Sequence, residues 1–165
     1  MERNLFIIRH AKSSWDHEDL EDIHRPLSER GLRAAETMAH RLLERGLVPQ
    51  LIYSSPATRA LDTAMIMQRI WHLPPSSLQV HEAIYMAYEE DIAMVVGEAP
   101  PEIMGLAIFG HNPTFTIYTN LFLDRPLDNL PTAGVAVVTL ESEGWKDLKR
   151  KQVIRTLVDT PKSRT

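Results

Sequence analysis

Short apolar runs alternate along this sequence with longer segments that carry their apolar residues on one helical face. Runs typical of buried strands fall at residues 5–8, 51–54, 79–83, 106–109 and 135–140. A chain that alternates strands and helices in this way pairs its strands mostly in parallel and covers both faces of the sheet with helices. The alternation therefore predicts an α/β fold, a three-layer sandwich around a mostly parallel sheet.

The helices between these runs have recognisable boundaries. Residues 31–45 carry an apolar stripe, and Gly46 follows as a stop signal. The Ser55-Pro56 and Asn112-Pro113 pairs each predict a helix start, because a polar side chain caps the first turn and proline fits its first position. A further helix is expected over 88–98.

Composition and charge limit the functions that such a chain can have. The net charge of -4 argues against bulk nucleic-acid binding, which needs a strongly basic domain. Cysteine is absent, so disulfides, thiolate metal ligands and a cysteine nucleophile are excluded. No run approaches the roughly 18 apolar residues of a membrane span, and the first residues do not resemble a signal peptide. We expect a soluble cytoplasmic protein, a single domain over 1–165 that ends in a basic, polar tail from about 146.

Three groups of polar residues follow predicted strands. They are Arg9 with His10, the segment 54–59 that ends in Arg59, and the segment around His111. In folds of this class a ligand binds beyond the carboxyl ends of the strands, so these groups are expected to meet. Guanidinium groups bind phosphate oxygens in forked pairs, and nearby arginines favour the neutral, nucleophilic form of histidine. The sequence therefore predicts a pocket for one phosphate-like dianion that contains two histidines.

At these positions the chain resembles the histidine phosphatase superfamily, and in particular its short phosphohistidine phosphatase branch, the SixA type. The similarity is carried in order by RHAKSSWD at 9–16, RPLSERG at 25–31, SSPATRA at 54–60, GHNP at 110–113 and LPTA at 130–133. The resemblance covers nearly the whole chain. It implies a phosphoglycerate mutase-like fold, one domain over 1–165 without a cap insertion, and no metal or other cofactor.

The resemblance also implies a role for each matching residue. His10 corresponds to the catalytic nucleophile, which becomes phosphorylated during the reaction. Arg9, Arg59 and His111 correspond to residues that bind the phosphoryl group. Glu82 occupies roughly the place of the family's proton donor and is the second catalytic candidate.

Ser13, Asp16 and Asn112 are candidates for the shell around the phosphate pocket. Asp16 stands where many larger members have an asparagine that contacts phosphate. A carboxylate there would repel a dianion, so Asp16 either faces away or is protonated. Arg25 is expected to anchor its long loop to a neighbouring acid such as Asp22.

The predicted activity is removal of a phosphoryl group through a phosphohistidine enzyme intermediate. Fewer than thirty residues separate Glu82 from His111, which leaves little chain for a lid over the site. An open pocket suits a phosphorylated histidine on a partner protein, and the resemblance points the same way. Two alternatives stay open: a phosphomonoesterase for small molecules, and a non-catalytic module that binds phosphoproteins. The retention of His10 argues against the second alternative.

Overall fold

The structure, a computed structural model, describes residues 1–163, which form a six-stranded sheet with four α-helices. The strands are β1 (Glu2–Arg9), β2 (Leu51–Ser54), β3 (Leu78–Val80), β4 (Gly105–Gly110), β5 (Val135–Glu141) and β6 (Val153–Asp159). The helices are α1 (Glu29–Glu44), α2 (Thr58–Ile70), α3 (Glu89–Gly97) and α4 (Thr114–Asn120). None of the helices in this range is long and apolar enough to cross a membrane.

The strands lie in the order β3-β2-β4-β1-β5-β6. The first four strands of that order pair in parallel, whereas β5 runs antiparallel to both of its neighbours. The predicted α/β fold with a mostly parallel sheet is confirmed. The carboxyl ends of β1, β2 and β4 consequently meet at one edge of the sheet.

Two hydrophobic cores lie on the two faces of this sheet, and β1 contributes to both. Leu5 and Ile7 join the core beneath α3 and α4, while Phe6 and Ile8 join the core beneath α1 and α2. All four side chains are fully buried. Because successive strand residues point to opposite faces, an uninterrupted apolar run is what a central strand between two helical layers requires.

The range expected to be a basic, polar tail, from about 146, contains regular structure. Residues 153–159 form β6, which pairs antiparallel with β5 at the edge of the sheet. An edge strand exposes one side to solvent, so its polar composition, which includes Arg155 and Thr156, resembles that of a tail. The last two residues assigned to the tail, 164 and 165, lie outside the described part of the chain.

Two helices begin slightly later than their proline pairs predict. Helix α2 has Ala57 at its N-cap, and Ser55 accepts a hydrogen bond from the Ala57 amide at 3.1 Å within the preceding turn. Helix α4 begins at Thr114, and the Asn112 side chain accepts a hydrogen bond from the Thr116 amide at 3.1 Å. Ser55 and Asn112 therefore order the turns before these helices, but each lies one or two residues before the N-cap position itself.

Substitution of Gly31 tests how closely the fold is packed. A Cβ atom at this position would lie 2.1 Å from the main-chain oxygen of Lys12, which is too close for any side chain. We expect Gly31→Ala to destabilise the protein by about 1–3 kcal/mol through overpacking, a loss that thermal unfolding would detect.

Gly97→Ala is the matched control, since its Cβ would meet only Lys146, whose flexible side chain is the nearest contact at 3.4 Å. Alanine is also the better helix former, so Gly97→Ala should leave the melting temperature unchanged or raise it. Equal melting temperatures for the two variants would contradict the close packing of α1 against Lys12.

Candidate active site

The parallel pairing of β1 with β4 builds the candidate site. Arg9 pairs with Gly110, and the His10 amide donates a hydrogen bond to the Gly110 carbonyl at 3.1 Å. On the other side of β4, the Ser55 amide donates to the Phe109 carbonyl at 3.0 Å. These bonds bring the residues that follow β1, β2 and β4 together, as the sequence predicts.

A cavity of about 450 Å³ opens at this edge of the sheet. The predicted nucleophile and the three predicted phosphate ligands all line it: His10, Arg9, Arg59 and His111. The rings of His10 and His111 lie 5.2 Å apart, centroid to centroid. The structure therefore brings the two histidines and two arginines of the prediction into one pocket.

The His10 ring has a fixed orientation. Its Nδ1 atom lies 2.7 Å from the Ala11 carbonyl oxygen. A carbonyl only accepts, so Nδ1 carries the proton and donates it, and Nε2 keeps its lone pair. Burial, and after it the charges of Arg59, Arg9 and Arg25, lower the pKa of His10 to about 4 against the opposing effect of the Ala11 hydrogen bond. His10 is therefore neutral at physiological pH and presents a nucleophilic nitrogen.

His111 takes the same Nδ1-protonated tautomer, and here Ser55 sets it. The Nε2 atom of His111 lies 2.8 Å from the Ser55 hydroxyl, which also accepts the hydrogen bond from the Ala57 amide. Ser55 is fully buried, and donating to His111 gives its hydroxyl proton an acceptor. The proton of neutral His111 then resides on Nδ1. Burial lowers the pKa of His111 to about 3, with His10 and Arg59 adding to the effect.

Four buried N–H donors in this region lack an acceptor. They are the Nε atoms of Arg9, Arg25 and Arg59 and the Nδ1 atom of His111. Only one other buried side-chain polar atom in the described residues, a carboxylate oxygen of Asp159, is unpartnered. Buried donors are nearly always hydrogen-bonded in folded proteins, so four of them around one cavity indicate a ligand rich in acceptor oxygens. A phosphate-like anion meets that requirement.

Asp22 neutralises two of the arginines in this structure. Arg59 donates to the Asp22 carbonyl at 2.7 Å and to its carboxylate at 3.0 Å, and Arg25 and Tyr85 donate to the same carboxylate at 3.0 and 2.7 Å. Burial alone would raise the pKa of Asp22, but these hydrogen bonds hold it well below its usual range. The predicted anchor between Arg25 and Asp22 is thus confirmed.

The remaining predicted residues occupy different places. Ser13 and Asn112 line the pocket; Ser13 accepts a hydrogen bond from Arg25, and Asn112 donates to the Leu130 carbonyl at 2.9 Å. Asp16 is exposed and does not line the pocket, in agreement with one of the two expectations for it. Glu82 is also exposed and does not line the pocket, so the structure does not bring it to the histidines.

Sequence reasoning did not assign roles to Ser55, Tyr85 and Trp15 at this site. Tyr85 packs edge-on against His111, with ring centroids 5.6 Å apart. Trp15 lines the pocket with 74% of its surface exposed, and the Arg25 guanidinium lies 3.9 Å from its ring centroid. The sequence signal for Trp15 was its position within the RHAKSSWD segment. Tyr85 had no such signal, because its role depends on the position of Asp22 in a loop far along the chain.

Metal ligation has no geometric support in the described range. Among residues 1–163, no group of three or more histidine, cysteine, aspartate or glutamate side chains is placed to hold an ion. Independence of metal stays a prediction for the assays below.

Comparison with known proteins identifies the chemistry of such a pocket. The family model of the histidine phosphatase superfamily (branch 1) matches residues 5–90, slightly more than half of the chain. The solved structure of a provisionally assigned phosphohistidine phosphatase SixA from Agrobacterium tumefaciens superposes with a TM-score of 0.77. It is 27% identical in sequence, and the alignment covers 94% of this chain and 97% of that chain. The resemblance drawn from the motifs is confirmed.

Two curated relatives extend the comparison. An uncharacterized chloroplastic protein of Arabidopsis thaliana is 29% identical over 153 residues, which are 88% of this chain and 70% of that protein. A 2,3-bisphosphoglycerate-dependent phosphoglycerate mutase of Leifsonia xyli subsp. xyli is 33% identical over 93 residues, 52% of this chain. That match spans only 36% of the mutase.

The two histidines predict a dependence of stability on pH. Their pKa values lie near 4 and 3 in the folded state, against 6.5 for the free side chain. Between those values the unfolded chain binds more protons than the folded one, so the free energy of unfolding falls as pH drops from 6.5 towards 4. We expect a loss on the order of 2 kcal/mol per histidine, measurable by urea denaturation.

The double variant His10→Asn/His111→Asn supplies the reference. Its free energy of unfolding should depend less steeply on pH over the same interval, because it lacks both desolvated imidazoles. Parallel curves for the wild type and this variant would show that the histidines are not held neutral by the fold.

Proposed function

Because the chain belongs to the histidine phosphatase superfamily, we propose that it is a phosphatase that acts on phosphohistidine side chains of a partner protein. The observation that carries the proposal is the set of four unpartnered buried donors around the neutral imidazole of His10. Such a set binds the oxygens of a phosphoryl group and leaves a nucleophile facing the phosphorus. The partner is a phosphoprotein rather than a nucleic acid or a membrane, and we expect the protein to act in the cytoplasm.

The first step is attack by His10. Its Nε2 lone pair forms a bond to phosphorus while the bond from phosphorus to the substrate nitrogen breaks. His10 acquires positive charge in this step, and its Nδ1–H bond to the Ala11 carbonyl stabilises that charge. A water molecule then attacks the phosphorylated His10, which releases inorganic phosphate and returns the imidazole to its neutral form.

Arg9, Arg59 and His111 stabilise the transferring group. Phosphoryl transfer needs little covalent chemistry from the protein and depends mainly on positioning and on donors aimed at the equatorial oxygens. The His111 tautomer set by Ser55 directs an N–H, not a lone pair, at those oxygens. The two hydrogen bonds that Arg59 makes to Asp22 must be shared with the substrate or exchanged for it.

The leaving group is the basis for choosing phosphohistidine. No carboxyl group lines the pocket among the described residues, so the cavity contains no evident proton donor. An alkoxide leaves poorly and depends on a placed acid, whose contribution is typically about 10²–10⁴-fold. The imidazole of a phosphohistidine leaves readily and takes its proton from water. The pocket therefore suits phosphohistidine better than a serine or sugar phosphate.

The openness of the site supports a protein substrate. The chain between β3 and β4 holds a 3-10 turn and the nine-residue helix α3, and no helical layer covers the cavity. The similarity to the provisionally assigned SixA protein supports the same substrate class. The similarity to a phosphoglycerate mutase supports the shared phosphoryl chemistry and keeps a small phosphate ester as the alternative substrate.

Trapping the intermediate tests the assignment of His10. Brief incubation with a phosphoryl-labelled substrate and a quench in base should leave acid-labile phosphate on the wild-type protein. His10→Ala should carry none, because the attacking nitrogen is gone. Label on both proteins in equal amounts would refute the assignment.

A turnover assay tests two other expectations. Wild-type turnover of p-nitrophenyl phosphate should persist after exhaustive chelation, since no metal is expected to take part. A folded protein without any turnover of this substrate or of phosphohistidine would instead favour the non-catalytic binding module.

A comparison of leaving groups tests the substrate class. We expect a higher kcat/KM for a phosphohistidine peptide than for the matched phosphoserine peptide. Glu82→Gln should leave hydrolysis of an alkyl phosphate and of phosphohistidine nearly unchanged, because Glu82 is exposed and does not line the pocket.

Arg59→Ala is the control for this experiment. Both substrates need the same oxygens held in the transition state, so this variant should damage both reactions. A wild-type preference for phosphoserine would overturn the substrate assignment, as would a large loss of alkyl phosphate hydrolysis with Glu82→Gln, since the site would then use a proton donor.

A further inference from the structure

A second cavity lies beside the catalytic pocket and differs from it in composition. Its volume is about 280 Å³, and its walls come from the start of α1, the turn at 131–132 and the segment 160–162. Lys12 and Thr132 line both cavities, so the second one is a lateral extension of the first. We call it the basic groove.

The basic groove holds positive charge without compensation. Lys12, Arg30 and Lys162 line it, and no acidic residue does. None of these three side chains forms an ion pair or a hydrogen bond with another residue in the range 1–163. The whole chain has a net charge of -4, so the groove carries the sign opposite to that of the molecule. Unpaired cations concentrated beside a site attract and orient anionic partners.

The walls of the groove are fixed by hydrogen bonds. Arg41 donates to the Thr160 and Pro161 carbonyls at 2.8 and 3.3 Å, which holds the segment after β6 against α1. The Lys12 carbonyl accepts hydrogen bonds from the Ser28 amide and hydroxyl at 2.9 and 3.1 Å. The main chain of the groove is therefore already ordered before a ligand binds. Binding does not carry the entropic cost of ordering it, which favours affinity.

The transferring phosphoryl group does not need these cations. It is served by Arg9, Arg25, Arg59 and His111, which line the catalytic pocket and each carry a buried donor without a partner. Arg30 and Lys162 line the groove but not that pocket. Their charges are consequently available to a second anionic group on the same substrate.

The basic residues at 146–151 are a weaker candidate for this role. They lie between β5 and β6, at the end of β5 where Glu141 pairs with Glu2 at the start of β1. That end is opposite to the sheet edge that carries His10. Arg150 is also already paired with Asp124.

We infer that the basic groove binds acidic side chains that flank the phosphohistidine of the partner protein, and so selects acidic phosphoproteins as substrates. This inference rests on the proposed function and specifies the substrate class of the same site. The groove shares Lys12 and Thr132 with the catalytic pocket, so a partner that presents its phosphohistidine to the pocket can bring flanking side chains to the groove. Lys12, which borders both cavities, lies between the phosphoryl group and the flanking acids.

Two phosphohistidine peptides test the inference, one with aspartates on both sides of the histidine and one with asparagines in their place. The wild type should hydrolyse the acidic peptide with a kcat/KM about five- to tenfold higher, in line with the effect of a few partly exposed charge pairs. This preference should shrink as ionic strength rises, because salt screens exposed charges.

The double variant Arg30→Glu/Lys162→Glu should abolish or invert the preference and leave the neutral peptide unaffected. Arg33→Glu/Lys151→Glu is the matched control: it makes the same change in net charge at two exposed cations that do not line the groove. The control should keep the wild-type preference. Equal kcat/KM values for the two peptides with the wild type, or an equal loss in both double variants, would overturn the inference.

Binding provides a measurement that does not depend on turnover. Fluorescence anisotropy of the labelled, unphosphorylated acidic peptide should show weaker binding to Arg30→Glu/Lys162→Glu than to wild type or control.

An alkane bisphosphate and the matching monophosphate test whether the second anionic group belongs to a protein or to a small molecule. If the groove variant slows only the bisphosphate and not the acidic peptide, the second anion belongs to a small molecule and the inference is wrong. If no substrate turns over, the proposed function fails, while the anisotropy result still decides whether the groove binds acids.

Discussion

The parallel pairing of β1 with β4 is the constraint on which the rest of the site depends. Leu5 and Ile7 belong to one core and Phe6 and Ile8 to the other, so a slip of one residue would exchange the two faces of the strand. The same register sets Arg9 opposite Gly110 and therefore His10 close to His111. Gly110 itself admits no side chain, since a Cβ there would lie 2.5 Å from the Phe115 ring. Core packing and catalytic geometry are thus fixed by one set of strand contacts.

The electrostatics of the pocket follow from that geometry. Two imidazoles are buried beside arginines, and both effects disfavour the imidazolium form. The fold gives up stability in mild acid to keep them neutral. In return His10 retains a lone pair for attack and His111 retains a directed N–H. The carboxylate of Asp22 offsets the charge of Arg59 and Arg25 while the site holds no phosphoryl group. Under the proposed function, an incoming dianion would replace one anionic partner of these arginines with another, so they would be paired in both states.

Two kinds of feature could be predicted from the sequence. They are the elements that have a periodic apolar pattern and the residues that directly follow a strand. The fold class, the two cores and the meeting of Arg9, His10, Arg59 and His111 all derive from apolar runs and their carboxyl ends. Strand β6 was missed because one side of an edge strand is solvated and its composition is polar. The contact of Asp22 with Arg59 and Tyr85 depends on the path of a long loop, which no periodicity specifies. Ser55 was read as a helix cap, and only its distance to His111 reveals that it sets a tautomer.

This division between sheet and loops also separates the chemistry of the protein from its specificity. In the proposed reaction, attack on phosphorus and binding of its oxygens use groups at strand ends, whose positions the sheet register holds. Under the same proposal, the choice of leaving group depends on the surroundings of the pocket. Its lining residues in the described range include no carboxyl group, Trp15 is exposed, and the basic groove lies between α1 and the segment after β6. These surroundings can change without disturbing the core, because none of the groove's charged side chains contributes to it. The match to a phosphoglycerate mutase, which spans 52% of this chain and only 36% of the mutase, is consistent with this separation.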